Sequence, residues 1–324
     1  MVLGVIFALI AGAVWGLIFI GPMLLSDYPG ALLSVGRYLA FGLICLPLAW
    51  HDRHRLLQLS RADWLEALKL AAVGNLLYYL CLSNAIQRIG VPVASLIIGM
   101  LPVVVSICSN IRDGERDGRF AWKSLVPSLV LMCVGLLCVN VSELRDYSGA
   151  IDWPEYLGGI ALALCSVACW TWYPMRNASW LRAHPTKSSV TWATAQGLAT
   201  LPLALVGYGL VWLKLSLTQP DFAMPFGPRP EFFVLLMVAI GLFCSWLGTL
   251  CWNKASQRLP TALAGQLIVF ETIAALVYTF CLRHAWPPVL TLCGVGLLML
   301  GVLRSFRLKR TKPASVQTIQ AKMS

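Results

Sequence analysis

From Val2 to Arg304 the chain is a succession of apolar runs, each about as long as a bilayer crossing. This succession restricts the fold more than any other feature. About 20 helical residues span a hydrocarbon core. The runs predict ten spans, at roughly 2–25, 29–50, 65–86, 91–110, 124–141, 156–174, 189–213, 231–253, 261–282 and 286–304. They are continuous rather than alternating, which predicts helices and not the strands of a barrel. Composition agrees: 58% of the 324 residues are hydrophobic and 12% charged, with a mean hydropathy of +0.74. A soluble domain of this size would need far more polar surface. The expected fold class is an all-α integral membrane protein. No basic segment precedes the run from Val2 to Leu25, the first Arg being Arg37. That run is also too long for a leader's apolar core, so it is expected to stay in the membrane as the first span.

The formal charge of +11 sits in alternate loops and in the tail. Arg53, Arg55 and Arg61 follow the second span, and Arg112, Arg116, Arg119 and Lys123 the fourth. Arg176, Arg182 and Lys187 follow the sixth, Lys254 and Arg258 the eighth, and Arg304, Arg307, Lys309, Arg310 and Lys312 the last. On the other side, Glu143, Asp146, Asp152 and Glu155 outweigh Arg145. The positive-inside rule then puts both termini in the cytoplasm, which requires an even number of spans. No basic stripe with interleaved stacking aromatics appears, so a nucleic-acid partner is not expected; the bilayer is. The 11 Cys lie almost entirely in apolar runs, where they behave as small hydrophobes. Cys165 and Cys169 share a helix face, but without His or carboxylate at ligand spacing, so no metal site is expected. His51, His54, His184 and His284 fall in loops or near helix ends and are expected to be solvated.

The chain also repeats itself. Gly4, Ala8, Leu9, Ala13 and Trp15 recur 155 residues later as Gly159, Ala163, Leu164, Ala168 and Trp170, and Pro47-Leu48-Ala49 recurs as Pro202-Leu203-Ala204. Ala85, Gln87 and Arg88 recur 170 residues later as Ala255, Gln257 and Arg258; the longer loop around 219–229 absorbs the difference. Pro127 and Val134-Gly135-Leu136-Leu137 recur as Pro288 and Val295-Gly296-Leu297-Leu298. The constant order across five span pairs is the signature of an internal duplication. Five spans is an odd number, so the second copy would enter the membrane inverted, with a substrate site at the interface of the halves near the midplane. The expected organisation is a first repeat at 1–142, a periplasmic linker at 143–155, a second repeat at 156–305, and a basic, polar, disordered cytoplasmic tail at 306–324.

Ten spans in two halves, Trp15 in span one, Arg37-Tyr38 in span two and Leu101-Pro102-Val103 in span four resemble the drug/metabolite transporter superfamily. More narrowly, the chain resembles the ten-helix branch built from two EamA-type repeats. The resemblance covers residues 2–304. Spans four and nine of that family often carry Glu-Pro-Val. Here the motif is split: Leu101-Pro102-Val103 lacks the acid and Glu271-Thr272-Ile273 lacks the proline. The resemblance implies export of small metabolites, such as amino acids, or of toxic amphiphiles from a bacterial cytoplasm, with proton exchange or facilitated diffusion as its drive.

Glu271 is the first candidate for a transport role. It lies near the middle of Leu263–Phe280, and no other carboxylate falls near the centre of a membrane-length run. At that depth a charge costs roughly 2.5–3.5 kcal/mol or more unless it faces a cavity, a partner or a proton. Its alternative is a buried structural acid, protonated or paired. Gln266, five residues earlier, is not on quite the same face, whereas Tyr278, seven residues on, is closer to it. Arg37 stands mid-span and has the chemistry to hold a substrate carboxylate bidentately. Its structural alternative is favoured: contact with backbone carbonyls or helix ends, or a pair with Glu271. At the position matching Arg37 the second half carries Trp192, with no charge. Asn75 and Tyr79, four apart on span three, and Trp15 are candidate cavity-lining groups, with helix packing as the alternative. Ser95 and Asn253 are weaker ones. Gly12 and Gly16 read as a helix-packing face rather than a dimerisation face. Asn177-Ala178-Ser179 has the form of a glycosylation sequon but falls in an expected cytoplasmic loop. No nucleotide-binding or catalytic motif is present, so no cofactor and no enzymatic activity are expected. The expectation is a secondary transporter of the inner membrane working by alternating access, as a monomer or homodimer, with a small-molecule substrate and protons through Glu271. Its rival is a membrane scaffold or sensor whose cavity is filled by lipid.

Overall fold

The computed structural model describes residues 1–112, 120–144, 153–284 and 286–307. The expected tail after 307, most of the expected linker, and the loop arginines Arg116 and Arg119 lie outside the described residues. Among the described residues all extended regular structure is helical.

The first part of the chain forms α1 (Val2–Gly16), continued through a 3-10 turn into α2 (Ile20–Leu24), then α3 (Gly30–His51) and the short α4 (Arg53–Leu56). A long rod follows: α5 (Arg61–Leu70), a π-helical turn at Ala71–Leu77, and α6 (Tyr78–Ile98). Next come α7 (Leu101–Arg112), α8 (Trp122–Leu144), α9 (Trp153–Ala183) and α10 (Ser189–Thr218). A second rod is built like the first, from α11 (Pro230–Ile240), a π-helical turn at Gly241–Leu247 and α12 (Gly248–Arg258). The chain closes with α13 (Thr261–Leu267), α14 (Val269–Arg283) and α15 (Val289–Phe306). Among the described residues eight helical stretches are long and apolar enough to cross a membrane, and Leu101–Arg112 and Val289–Arg304 are shorter apolar helices.

Two boundaries differ most from the sequence reading, the first for a local reason and the second through tertiary contacts. Spans three and four were expected to part at residues 87–90, yet α6 runs on to Ile98. In the second half the same place does break. There Pro260 forces Leu259 into extended geometry (φ −114°, ψ 148°), as proline does to the residue before it. Gly90 stands where Pro260 would be, and the helix continues. Span six was expected to end at residue 174, with Arg176, Asn177 and Arg182 in a loop. Instead α9 runs 31 residues to Ala183 with Pro174 inside it. The extra turns are held by tertiary contacts: Trp180 stacks on Trp192 at 3.4 Å, and Asn177 is fully buried against Asn253. A buried Asn177 is no glycosylation acceptor. The helices α8 and α9 also reach Leu144 and Trp153, so the expected linker at 143–155 is shorter at both ends.

The core is made where helices of one half meet helices of the other. The helix α1 packs on α12 and α14, and its counterpart α9 packs on α6. Likewise α3 pairs with α10, α7 with α13, and α8 with α15. Small residues permit these approaches. A Cβ on Gly4 would meet Leu259 Cγ at 2.8 Å, and one on the matching Gly159 would meet Ile89 Cγ2 at 2.4 Å. The α1 face of Gly12 and Gly16 lies against Phe270–Ala275 of α14, so that pair of glycines packs within the chain, as expected.

Candidate functional site

Both rods are interrupted where they carry polar side chains. The π-helical turns begin at Ala71 and Gly241, separated by 241 − 71 = 170 residues, the spacing of the duplication. A π turn leaves backbone groups without their usual partner and is common at functional sites. At Cys244 the free carbonyl accepts the indole N–H of Trp15, at 2.8 Å. The same turns place Asn75 and Ser245, which also match at 170. Each reaches the second helix of the opposite half. Asn75 Nδ2 donates to Thr200 Oγ1 at 3.3 Å, and Arg37 Nε donates to Ser245 Oγ at 3.0 Å.

A narrow crevice, with room inside its mouth for about one water molecule, is lined by Ile18, Gly21, Leu33, Arg37, Tyr79, Met237 and Ile240. Arg37 is 7% exposed. Its guanidinium lies 4.9 Å from the ring centre of Tyr38 and 5.5 Å from that of Tyr79. Each such contact is worth about 0.5–2 kcal/mol, less than the several kcal/mol that desolvating the cation costs. Among the described residues no carboxylate lies within ion-pair distance of Arg37, and no backbone carbonyl accepts from it. The structural partners expected for it are therefore not found.

Glu271 sits in the first turn of α14. The strand of chain joining α13 to α14 is tightened by two i→i+3 hydrogen bonds, Ile268 N to Gly265 O at 3.3 Å and Glu271 N to Ile268 O at 2.9 Å. The α-helical ladder is thus interrupted by a tight turn just before the acid, although Ile268 itself keeps helical geometry (φ −57°, ψ −27°). The first half has the same interruption, with Met100 N bonded to Ile97 O at 3.2 Å. There Leu101 stands where Glu271 would be. The Glu271 side chain is half-buried and makes no hydrogen bond or ion pair among the described residues. Arg37, Tyr78 and Cys244, all interior groups, are near enough to feel its charge. Tyr278, expected closer to that face than Gln266, donates its hydroxyl to Ala13 O of α1 at 3.1 Å.

The other expected site residues are distributed around this centre. Trp15 is buried in an aromatic wall, 5.3 Å from its counterpart Trp170 and 5.4 Å from Trp252. Tyr79 lines the crevice. Gln266 does not; it is fully buried on α13, and among the described residues neither end of its amide has a partner. Ser95 lies on α6, but its side chain is outside what the structure describes.

Of a polar chain behind the aromatic wall, sequence reasoning picked out only Asn253, as a weaker candidate. Tyr173 donates to Gln196 Oε1 at 2.9 Å, while Gln196 Nε2 and Trp192 Nε1 both donate to Asn177 Oδ1. Asn177 Nδ2 in turn donates to Asn253 Oδ1 at 2.8 Å. The signal that would have found part of it is the spacing of Gln196 and Thr200, four apart within one span. Ser245 was legible too, as the residue that the 170 offset lays over Asn75.

Two clasps join the halves at opposite ends of this arrangement. At one, Ser60 and Asp63 form a capping box on α5, and Asp63 Oδ1 also accepts from Trp180 Nε1 at 3.0 Å. Beside it Arg176 pairs with Glu66, with Nη2 to Oε2 at 2.9 Å, and Lys187 Nζ donates to Gln58 O at 2.7 Å. His184, expected to be solvated, stacks half-exposed on Trp180 at 4.5 Å. At the other end Arg229 pairs with Asp27 and its backbone N–H donates to Tyr28 Oη at 2.7 Å. The hydrogen bond from Arg229 holds the Asp27 carboxyl below the usual carboxylate range. In both clasps the N-terminus of a rod (α5 or α11) is tied to the end of the first helix of the other half (α9, or α1–α2).

Comparison with known proteins gives three findings. The chain is 54% identical over 313 residues to "Inner membrane protein YtfF" of Escherichia coli (strain K12), covering 97% of this chain and 98% of that protein. One solved crystal structure superposes with a TM-score of 0.71 over 93% of this chain and 96% of that one, at 16% identity, a likeness of fold alone. The EamA-like transporter family matches twice, at residues 2–141 and 157–307. Two matches that together span nearly all of the helical region leave one conclusion: the chain belongs to the EamA-like transporter family.

Proposed function

We propose that this protein is a secondary carrier of the bacterial inner membrane, with ten crossings in two inverted five-helix repeats and both termini in the cytoplasm. In this reading it exports small metabolites, amino-acid-like or amphipathic and aromatic, by alternating access. The name of the E. coli relative supports the location. The reciprocal packing of α1 on α12 and α9 on α6 supports the inverted repeat, since a two-fold axis lying in the membrane exchanges these pairs. The repeats are assigned to 1–142 and 156–305. The two clasps then become the gates: Glu66–Arg176 closes the cytoplasmic side and Asp27–Arg229 the periplasmic side.

The observation that carries the coupling is the half-buried Glu271 carboxylate, without an ion pair among the described residues, on the first turn of an interrupted helix. Such a group is free to exchange a proton with one side at a time, or to trade it for substrate. Trp15, Asn75, Tyr79, Gln266 and Ser95 are assigned to the path around it. The test is transport in proteoliposomes under an imposed pH gradient. Glu271→Gln is expected to abolish gradient-driven uptake while the protein remains folded and monodisperse. Unchanged gradient dependence in that variant rejects the coupling role.

A further inference from the structure

Arg37 is a buried cation near enough to Glu271 to feel its charge, yet it forms no ion pair with that carboxylate among the described residues. Its Nε is used by Ser245 Oγ, but among the described residues nothing accepts from its two Nη groups. The flanking rings of Tyr38 and Tyr79 and the hydroxyl of Ser245 fix the plane of the guanidinium. The residue lines the crevice, so the end of the fork that binds oxyanions in a bidentate manner is the end left available there. Packing does not require a cation at this place. The counterpart of Arg37 in the second half is Trp192, which is fully buried and uncharged in the same α3–α10 helix pair.

From this geometry we infer that Arg37 is an anion subsite for the carboxylate of the transported solute. One guanidinium with no lysine or histidine in the crevice matches a single negative charge, a monocarboxylate, rather than a phosphate dianion. The inference rests on the carrier reading of this crevice and adds the chemistry of what the crevice holds.

The test is thermal unfolding of the purified protein in detergent with matched probe pairs: phenylalanine and phenylalaninamide, leucine and leucinamide, octanoate and octanamide. At millimolar concentration at least one carboxylate is expected to raise the melting temperature while its amide does not. Arg37→Gln is expected to remove that difference, and Arg37→Lys to keep part of it. Ser245→Ala leaves the charge in place and frees its orientation, so it is expected to weaken carboxylate binding by about tenfold without abolishing it. This variant carries the test if Arg37→Gln does not fold. The inference is overturned if no carboxylate in the panel stabilises the protein, if the amides match the acids, or if both variants bind like the parent. Because binding is read without a gradient, this outcome is independent of whether Glu271 couples transport to protons.

Discussion

A glutamine with no exposure and no partner for either end of its amide is a costly residue to keep, and among the described residues Gln266 is in that position. Burying such an amide costs roughly 1–3 kcal/mol, a cost that a thioether of similar volume avoids. Gln266→Met is therefore expected to raise the melting temperature of the protein. If Gln266 serves the transport path, the same variant loses transport; if transport is unchanged, its assignment to the path is wrong. Glu271 was legible from sequence because one acid in an apolar run has no local explanation. The surroundings of Arg37 were not, since which groups face a mid-span cation is decided by helices far away in the chain. Ser245, 208 residues later, is the group that binds it. Asn177 was misread because Pro174 and Arg176 interrupt the apolar run, and the contact that keeps the helix going, Asn253, is 76 residues further on.

At the scale of helices, the two clasps differ in strength. In the Glu66–Arg176 pair the carboxylate side chain is only 9% exposed and the guanidinium 42%. A double-mutant cycle with Glu66→Gln and Arg176→Gln is expected to give a coupling of about 1–2 kcal/mol, already discounted for the wet guanidinium. Asp27 and Arg229 are both more than 40% exposed, so that clasp is weaker and is screened by salt. Hydrogen exchange is therefore expected to be faster in residues 219–229 than around residues 176–187, and to speed up further in high salt. Its pH dependence follows from the lowered pKa of Asp27. The contribution of a depressed carboxylate is complete above its unfolded value, near 3.8, and fades only as pH falls through the lower folded value. Exchange in residues 219–229 is thus expected to show no opening of this clasp between about pH 7 and pH 5, after correction for intrinsic rates. The helix breaks were partly legible: Pro260 marked one, while the π turns have no sequence signature and appear only once both rods are seen to carry them.

For the molecule as a whole, the duplication was legible from short matches, and its packing consequence was not. Shared offsets say that two halves exist; they do not say that each half lends its first helix to the other. That exchange depends on glycines whose backbones meet other backbones. A Cβ on Gly16 would lie 2.8 Å from the backbone N of Ala275. Gly16→Ala is expected to cost about 1–3 kcal/mol by pushing α1 off α14, and thermal unfolding measures it. The matching π turns bear on movement. An under-wound turn holds one residue more than its neighbours, and the surplus can pass along the rod as hydrogen bonds change partners one at a time, much as a ruck travels along a carpet. Each step would swivel the side chains it passes through roughly 100° while the rod stays whole. Two long stiff rods with such a ruck at the same level have swivels already in place beneath the tryptophans, and neither has to bend for them to turn.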